Sequence, residues 1–392
     1  MSSPRDTDHE DRADSAEATE PVERADRPKT TSDGTVRGPA AARARISGAV
    51  AEPAIAPWRI RLFAGGTAVL LAVAVGYGVY AAHRHAAAIA SSPKPLATLS
   101  LTGPPKIMFL STAIGAGYQH LAEVPAADPG AKPAITPTSC QRAYAAAETL
   151  VCLQAGGSLT GTEYAQVYDD SSGTPKQVKN VQLPGIPSRA RVSADGQMVA
   201  WTVFVSGDSY NGPEFSTRTG ILDLRTGTLT DNLESFTAYV DGSVYHAVDI
   251  NYWGVTFTST DGKFYATMGS AGKTWLMQGN LQTHTMTSIV ENVECPSLSP
   301  DGTHIVFKKR ISTNLAAPWR LYVLDLATLK ETPLAETRSI DDQAAWLGNN
   351  TVMYDVPQKH GSGYDIWEVP ADGTGTPKLI IPDGFSPTAI GG

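Results

Sequence analysis

The sequence predicts an all-β fold: a six-bladed β-propeller of four-stranded antiparallel blades, preceded by a disordered tail and one transmembrane helix. Three observations predict it. Residues 296 to 335 read as four short strands of one up-and-down sheet: Pro300-Asp301-Gly302 turns into Ile305-Val306-Phe307, a polar loop follows, Arg320 to Leu326 alternates, and Glu331 to Leu334 returns. Weaker copies of this block recur along the chain, and residues 105 to 392 divide into six units of 48. Ahead of them, Leu62 through Ala82 carries no charge over 21 residues.

Residues 1–57 are rich in Asp, Glu, Arg, Ala, Ser, Thr and Pro and hold almost no large apolar side chain. Such a segment cannot bury enough surface to offset its ordering entropy, so a disordered cytoplasmic tail is expected. Residues 58–82 are the expected transmembrane helix, with Trp58 and Tyr80 near its ends at interfacial depth. Arg43, Arg45, Arg59 and Arg61 precede the span while Arg84 and Lys94 follow it, a bias that keeps the N-terminus inside. A cleaved signal peptide ending near Ala88-Ile89-Ala90 is the rival reading; the apolar core is longer than the usual h-region of about 7 to 15 residues. Residues 83–104, with His83, His85 and three prolines, are expected to form an extracytoplasmic linker.

Within residues 105–392, Ser193-Ala194-Asp195-Gly196 precedes Met198 to Trp201, and Gly220 to Leu224 follows. Ser259-Thr260-Asp261-Gly262 precedes Phe264-Tyr265-Ala266, then Thr274 to Met277. Trp346 to Asn349 precedes Thr351 to Tyr354, then Tyr364 to Val369, and fainter copies start near Lys106 and Arg142. One such sheet cannot cover both its faces, so the copies must stack on one another. A ring must also close, since a free edge invites pairing with other chains. Phe385 to Ile390 reads as a lone innermost strand that completes the first blade.

The pattern S-P-D-G-x-x-I-V-F at Ser299 to Phe307, followed by L-Y-V-L-D-L at Leu321 to Leu326, resembles the WD40-like repeat of the TolB family, six-bladed propellers of the bacterial envelope. The resemblance covers residues 105–392 and is strongest over 188–370. Leu298 stands where that repeat usually has Trp, and the first two blades lack Asp-Gly. The resemblance implies protein partners in envelope maintenance or translocation.

With 36 Gly, 27 Pro and 42% hydrophobic residues, the composition suits a turn-rich β body, and a net charge of -8 gives no basic footprint for nucleic acid. Cys140 and Cys152 flank the first hairpin of the second blade and are placed for a disulfide if the domain lies outside the cytoplasm; Cys295 reads as a small apolar core residue. No catalytic, cofactor or metal site is expected. Gly269 to Thr274 is Walker-like, but Thr267 stands where the first glycine belongs and a strand follows in place of a helix. Gly156-Gly157-Ser158-Leu159-Thr160 lacks the final glycine of a nucleophile elbow. Zinc spacings are missing, the eight His are scattered, and Asp195, Asp261 and Asp301 read as turn caps rather than calcium ligands.

What remains for function is one mouth of the axial channel. Arg189, Asn251, Glu294 and Asp342 stand just before successive innermost strands, at nearly matching repeat positions. Three long loops, 206–214, 312–319 and 357–363, open on the same side and carry Tyr210, Trp319 and Lys359, residue types enriched at interfaces. Each of the seven equally suits a loop satisfying its neighbours. The expectation is a non-catalytic, membrane-anchored platform for protein partners; the alternative is a small-ligand, hydrolase or lyase propeller with its site at the channel mouth.

Overall fold

A computed structural model describes residues 56–91, 97–155, 161–205 and 216–391. The expected tail lies outside the described residues apart from Ala56 and Pro57. The chain divides into two units, Met1–Ala68 and Val69–Gly392, and the boundary falls inside one helix, α1 (Pro57–Ser91).

Helix α1 is long and apolar enough to cross a bilayer over Pro57–Arg84. The Ala56 carbonyl opens it by accepting from the Arg59 N–H at 2.9 Å. The Arg59 guanidinium lies over the Trp58 ring and that of Arg84 over Tyr80. These aromatic–cation pairs stand 22 residues apart, about 33 Å along a helix and close to the hydrocarbon thickness of about 30 Å. The expected linker is partly helix and partly domain. Its Ala-rich start continues α1 to Ser91, as strong helix formers do until Pro93 approaches. Its end is tied to the propeller: the Ala97 N–H donates to the Ile135 carbonyl, Leu101 N–H donates to Asp170, and Leu99 and Leu101 are buried.

From Lys106 onward the second unit is a six-bladed propeller. Blade 1 contains β1 (Lys106–Ser111), β2 (His120–Pro125) and β3 (Ala134–Ser139). Blade 2 contains β4 (Arg142–Ala146), β5 (Thr149–Ala155), β6 (Glu163–Asp169) and β7 (Lys176–Leu183). Blade 3 contains β8 (Ile186–Val192), β9 (Met198–Val205), β10 (Ser216–Asp223) and β11 (Leu229–Thr230). Next come β12 (Thr237–Val240) and β13 (Ser243–Tyr245), then β14 (Asn251–Phe257), β15 (Lys263–Ser270), β16 (Lys273–Asn280) and β17 (Thr285–Glu291) of blade 4. Blade 5 contains β18 (Glu294–Leu298), β19 (His304–Arg310), β20 (Trp319–Asp325) and β21 (Glu331–Pro333). Blade 6 contains β22 (Ala345–Leu347), β23 (Thr351–Pro357), β24 (Tyr364–Pro370) and β25 (Lys378–Ile381), and the chain then returns to blade 1 with β26 (Gly384–Ile390).

Closure is made by β26, which pairs antiparallel with β1 from Lys106↔Ile390 to Ser111↔Gly384 and is the innermost strand of blade 1. One blade departs from the expected four strands. Blade 4 has six, because β12 pairs parallel with β17 and carries β13 on its outer edge. The turn at Asp241-Gly242, both at positive φ, makes β12 and β13 a tight hairpin that a plain reading of Tyr239 to Tyr245 would have found.

Six buried clusters hold the ring, one at each blade interface. Met108, Leu110 and Leu121 meet Ala143 and Leu150 between blades 1 and 2; Val151 and Val167 meet Val199 and Trp201 between blades 2 and 3. Met198 and Ile221 meet Phe264 and Met268, and Tyr265 and Leu276 meet Ile305 and Phe307. Val306 and Val323 meet Val352 and Tyr354, and Ile107 and Phe109 meet Met353 and Ile366, which closes the circle. No blade has a core of its own, so each depends on both neighbours for burial.

The turns joining first to second and third to fourth strands lie on one face, the floor. Ser193 and Ser299 accept the N–H five residues on, from Met198 and His304, while Asp195 and Asp301 accept from the N–H two residues on. Asp169, Asp223, Asn280 and Asp325 cap the next turns in the same way. Turn is tied to turn across blades: the Asp301 N–H donates to Asn349, and Arg225 reaches Asp261 at 2.9 Å.

Candidate functional site

On the opposite face, four innermost strands break register at matching positions. The shifts fall between Pro187 and Arg189 in β8, Trp253 and Thr256 in β14, Glu294 and Ser297 in β18, and opposite Met108 and Leu110 in β26. Gly254, Cys295 and Ser386 take positive φ there. A bulge bends its strand and re-aims the next side chain, here toward the axis. Glycine is needed at 254, because a Cβ would sit 2.8 Å from the Cα of Cys295.

Into this ring dips the connection from β21 to β22, residues 334–344. Its stem is clamped by Glu336, which is buried and accepts from Tyr354 Oη at 2.7 Å and Arg338 Nε at 2.9 Å. Its tip touches four other blades. Asp341 pairs with Lys308 of blade 5 at 2.7 Å. Asp342 pairs with Arg142 of blade 2 through Oδ2 and with Arg189 Nε of blade 3 at 3.1 Å through Oδ1. Gln343 Nε2 donates to the carbonyls of Val255 and Pro296, in blades 4 and 5. Arg191 Nη2 donates to the Ala344 carbonyl at 2.7 Å. The segment is a plug across the axis.

Above the plug lies a cup of about 1090 Å³. Its walls carry Arg142, Arg189, Asn251, Glu294, Trp319, Asp341, Asp342 and Asp355, with Phe204, Trp253, Tyr364 and Phe385. Of the seven mouth residues expected from sequence, Arg189, Asn251, Glu294, Asp342 and Trp319 come together here. Lys359 is exposed on the loop between β23 and β24 and does not line the cup, although Pro357 and Tyr364 at the two ends of that loop do. Tyr210 and the loop 206–214 lie outside the described residues, as does the segment 156–160. Arg189 sits inside β8 and Asn251 and Glu294 begin their strands, rather than preceding them.

These polar groups are committed to one another. Asn251 Oδ1 accepts from Ser216 Oγ and the Thr217 N–H. Glu294 accepts from Trp319 Nε1 at 2.8 Å and lies near Arg310 and Lys308, both stacked on the Trp319 ring. Burial alone would raise the Asp342 carboxyl, but Arg142 and Arg189 hold it below the usual carboxylate range. Asp355, also buried, goes the other way: burial and the neighbouring Asp342 charge push its carboxyl well above that range.

The Walker-like stretch forms a hairpin between β15 and β16 on the cup wall. Asp249 takes the Ser270 hydroxyl at 2.6 Å and the Ala271 N–H at 2.7 Å, so a carboxylate holds the position a phosphate would need. Among the described residues no group of three His, Cys, Asp or Glu is placed to hold a metal ion. Cys140 and Cys152 are disulfide-bonded with their Cα atoms 5.5 Å apart; Cys295 is free, buried and on the cup wall. Sequence reasoning missed Arg142, Arg191, Asp355 and the plug. Carrying the matching-position argument back one blade would have found Arg142 at the start of β4.

No family model matches this chain, and no curated protein matches it. Solved structures do. TolB from Acinetobacter baumannii is 15% identical with a TM-score of 0.49, over 74% of this chain and 66% of TolB, so the chain spans just under two thirds of that protein. A chain of the nidogen/laminin complex is 10% identical with a TM-score of 0.49, over 73% of this chain and 98% of its own. Oligogalacturonate lyase in complex with manganese is 10% identical with a TM-score of 0.38, over 64% and 82%. At these identities the likeness is one of propeller fold.

Proposed function

We propose that this protein is a membrane-anchored, non-catalytic binding propeller that presents its cup face to a protein partner on the extracytoplasmic side of a bacterial envelope. The observation that carries this reading is where the exposed apolar side chains stand. Among the described residues of the propeller, Ile114, Tyr118, Ile186, Phe204, Val248, Ile311 and Leu315 stand on loops and strand ends of the cup face, Phe204 and Val248 in the cup wall itself, with Val248 and Leu315 each 87% exposed. The remainder are scattered on outer edge strands, save Leu329 on a floor turn. An apolar rim around a polar, internally paired centre is the inverse of a catalytic cleft and matches a docking surface. The anchor reading rests on α1 and the Arg bias, and the disulfide suits an oxidising compartment.

The test is photo-crosslinking in intact cells from a reactive amino acid placed at Leu315 or Val248, with Leu329 as the floor control. A discrete protein adduct from the rim positions alone is expected. Adducts of equal yield from Leu329, or a rim that captures only itself, would overturn the reading. A tightly bound metal in the purified chain, or a large thermal shift with one small molecule, would favour the ligand-binding or hydrolytic alternative.

A further inference from the structure

Three aromatic rings of the propeller lie on a glycine of the neighbouring strand. A Cβ at Gly220 would come within 2.8 Å of the Trp201 ring, one at Gly279 within 2.2 Å of Phe264, and one at Gly269 within 2.6 Å of Trp253. A glycine under an aromatic lets the ring cover bare backbone and fixes its plane. Trp201 and Phe264 use this device to fill the core, where both are buried. Trp253 does not. It is half-buried, joins none of the six buried clusters, and lines the cup. Among the described residues its indole Nε1 has no hydrogen-bond acceptor. The ring is held in place for something other than packing.

Across the axis, where blade 1 faces blade 4, Phe385 packs on Tyr364 with ring centroids 4.7 Å apart. The Tyr364 hydroxyl is likewise without a partner among the described residues. Charge is already balanced: every cation of the lining, Arg142, Arg189, Lys273, Lys308 and Arg310, is ion-paired. Arg142 also covers the Phe385 ring, and Lys308 and Arg310 cover Trp319. An anionic ligand therefore meets no unmatched cation, and a cationic one finds those two rings occupied. What the cup leaves open is aromatic face flanked by neutral hydrogen-bonding groups. Its volume of about 1090 Å³ lies at the upper end of small-molecule pockets, about 300–1,000 Å³.

We propose that the cup binds a neutral, β-linked oligosaccharide of gluco configuration, with one pyranose ring stacked on Trp253. In that configuration the hydroxyls are equatorial, so the axial C–H bonds make a flat apolar face that matches an indole while the ring edge presents hydroxyls. Trp253 Nε1 and Tyr364 Oη donate to those oxygens, and Tyr364 Oη also accepts. Asn251 Nδ2, which gives one hydrogen to the Asp249 carbonyl, keeps its other for the ligand. A cup of this size holds about two or three pyranose rings, enough to reach from one wall toward the other. The inference does not rest on the partner reading: the sugar fills the interior of the cup and the protein meets the rim, which crosslinking from Leu315 reads separately.

The test uses the full chain in a zwitterionic detergent, because a detergent with a sugar headgroup would compete. Cellotriose and triacetylchitotriose are titrated in turn, and saturation transfer from protein to sugar is read by NMR. Transfer strongest at the axial C–H protons of one ring face is expected, saturating with a Kd of about 1 mM. Trp253→Ala is expected to weaken binding about tenfold or more, and Trp253→Phe by less. Gly269→Ala keeps the indole but displaces its plane, so it too should weaken binding, and it decides the matter if Trp253→Ala fails to fold. Three results overturn the proposal: no transfer to either sugar at about 10 mM, ten times the expected Kd; undiminished binding in the folded Trp253 or Gly269 variant; or tighter binding of trigalacturonate than of the neutral trisaccharides.

Discussion

The two faces of the propeller are built by opposite rules. On the floor, the same short turn chemistry recurs blade after blade: a Ser or Asp side chain accepts a nearby N–H, a glycine takes positive φ, and adjacent turns bond to each other. Around the cup nothing recurs but the bulge. Loops differ in length, a hairpin pair enlarges blade 4, the plug crosses the axis, and apolar side chains face outward. Repetition marks the scaffold, and its breakdown marks the surface free to differ. The contrast also separates two uses of charge: solvated Asx turns on the floor, and buried pairs in the cup that fix the plug in one arrangement.

Deleting β26 would break both faces at once. It removes the innermost strand of blade 1 and bares the 6–1 and 1–2 interfaces, a loss comparable to the whole stability of a domain, about 5–15 kcal/mol. Loss of a cooperative melt is expected; a melt at unchanged temperature would mean the ring does not depend on its closure.

Asp342→Asn strikes the cup alone. It leaves Arg142 and Arg189 buried without their counter-ion, and a cost of about 3–5 kcal/mol is expected in denaturant titration. A loss below about 1 kcal/mol would show the plug to be solvated.

A matched pair of substitutions sharpens the contrast. Gly196 on the floor and Gly272 on the cup hairpin both hold φ near +72°, but a Cβ at 196 would meet Thr149 Oγ1 at 3.0 Å whereas none of the surrounding atoms lies within 4 Å at 272. Gly196→Ala is expected to cost about 1 kcal/mol more than Gly272→Ala, because packing adds to the shared backbone strain of about 1–2 kcal/mol. Equal costs would contradict the tightness of the floor.

The smallest effect concerns pH. A carboxyl whose folded pKa is raised, as at Asp355, favours the fold below its unfolded pKa and loses that contribution as pH rises toward the folded value. Asp342, held low, behaves in the opposite sense and loses its contribution as pH falls. Asp355→Asn should therefore melt higher than the unaltered chain at neutral pH, and the gap should shrink toward pH 4, about the unfolded pKa of an aspartate. A gap independent of pH would show that Asp355 ionises normally.

What the sequence made legible follows the same division. The turns Ser193 to Gly196 and Ser299 to Gly302 announce themselves because Asp and Gly act on their own backbone. The closing strand at Phe385 to Ile390 was visible as an unpaired strand pattern. Glu294 and Asp342 could be placed at the mouth from repeat position alone, but not that they would be bound there in ion pairs, since their partners lie up to 200 residues away. The plug was not legible at all: Glu336 to Ala344 has no periodicity, and its burial depends on six strands converging around it.

The most direct measurement of the account is cysteine accessibility in intact cells, with Leu315→Cys on the rim and Leu329→Cys on the floor probed by a membrane-impermeant maleimide. Background labelling should be small, because Cys140 and Cys152 are bonded and Cys295 is buried. The account predicts that Leu329→Cys labels readily in cells, while Leu315→Cys is protected in cells and labels fully once the protein is purified. Equal labelling of both in cells, or protection of the floor in place of the rim, would contradict it.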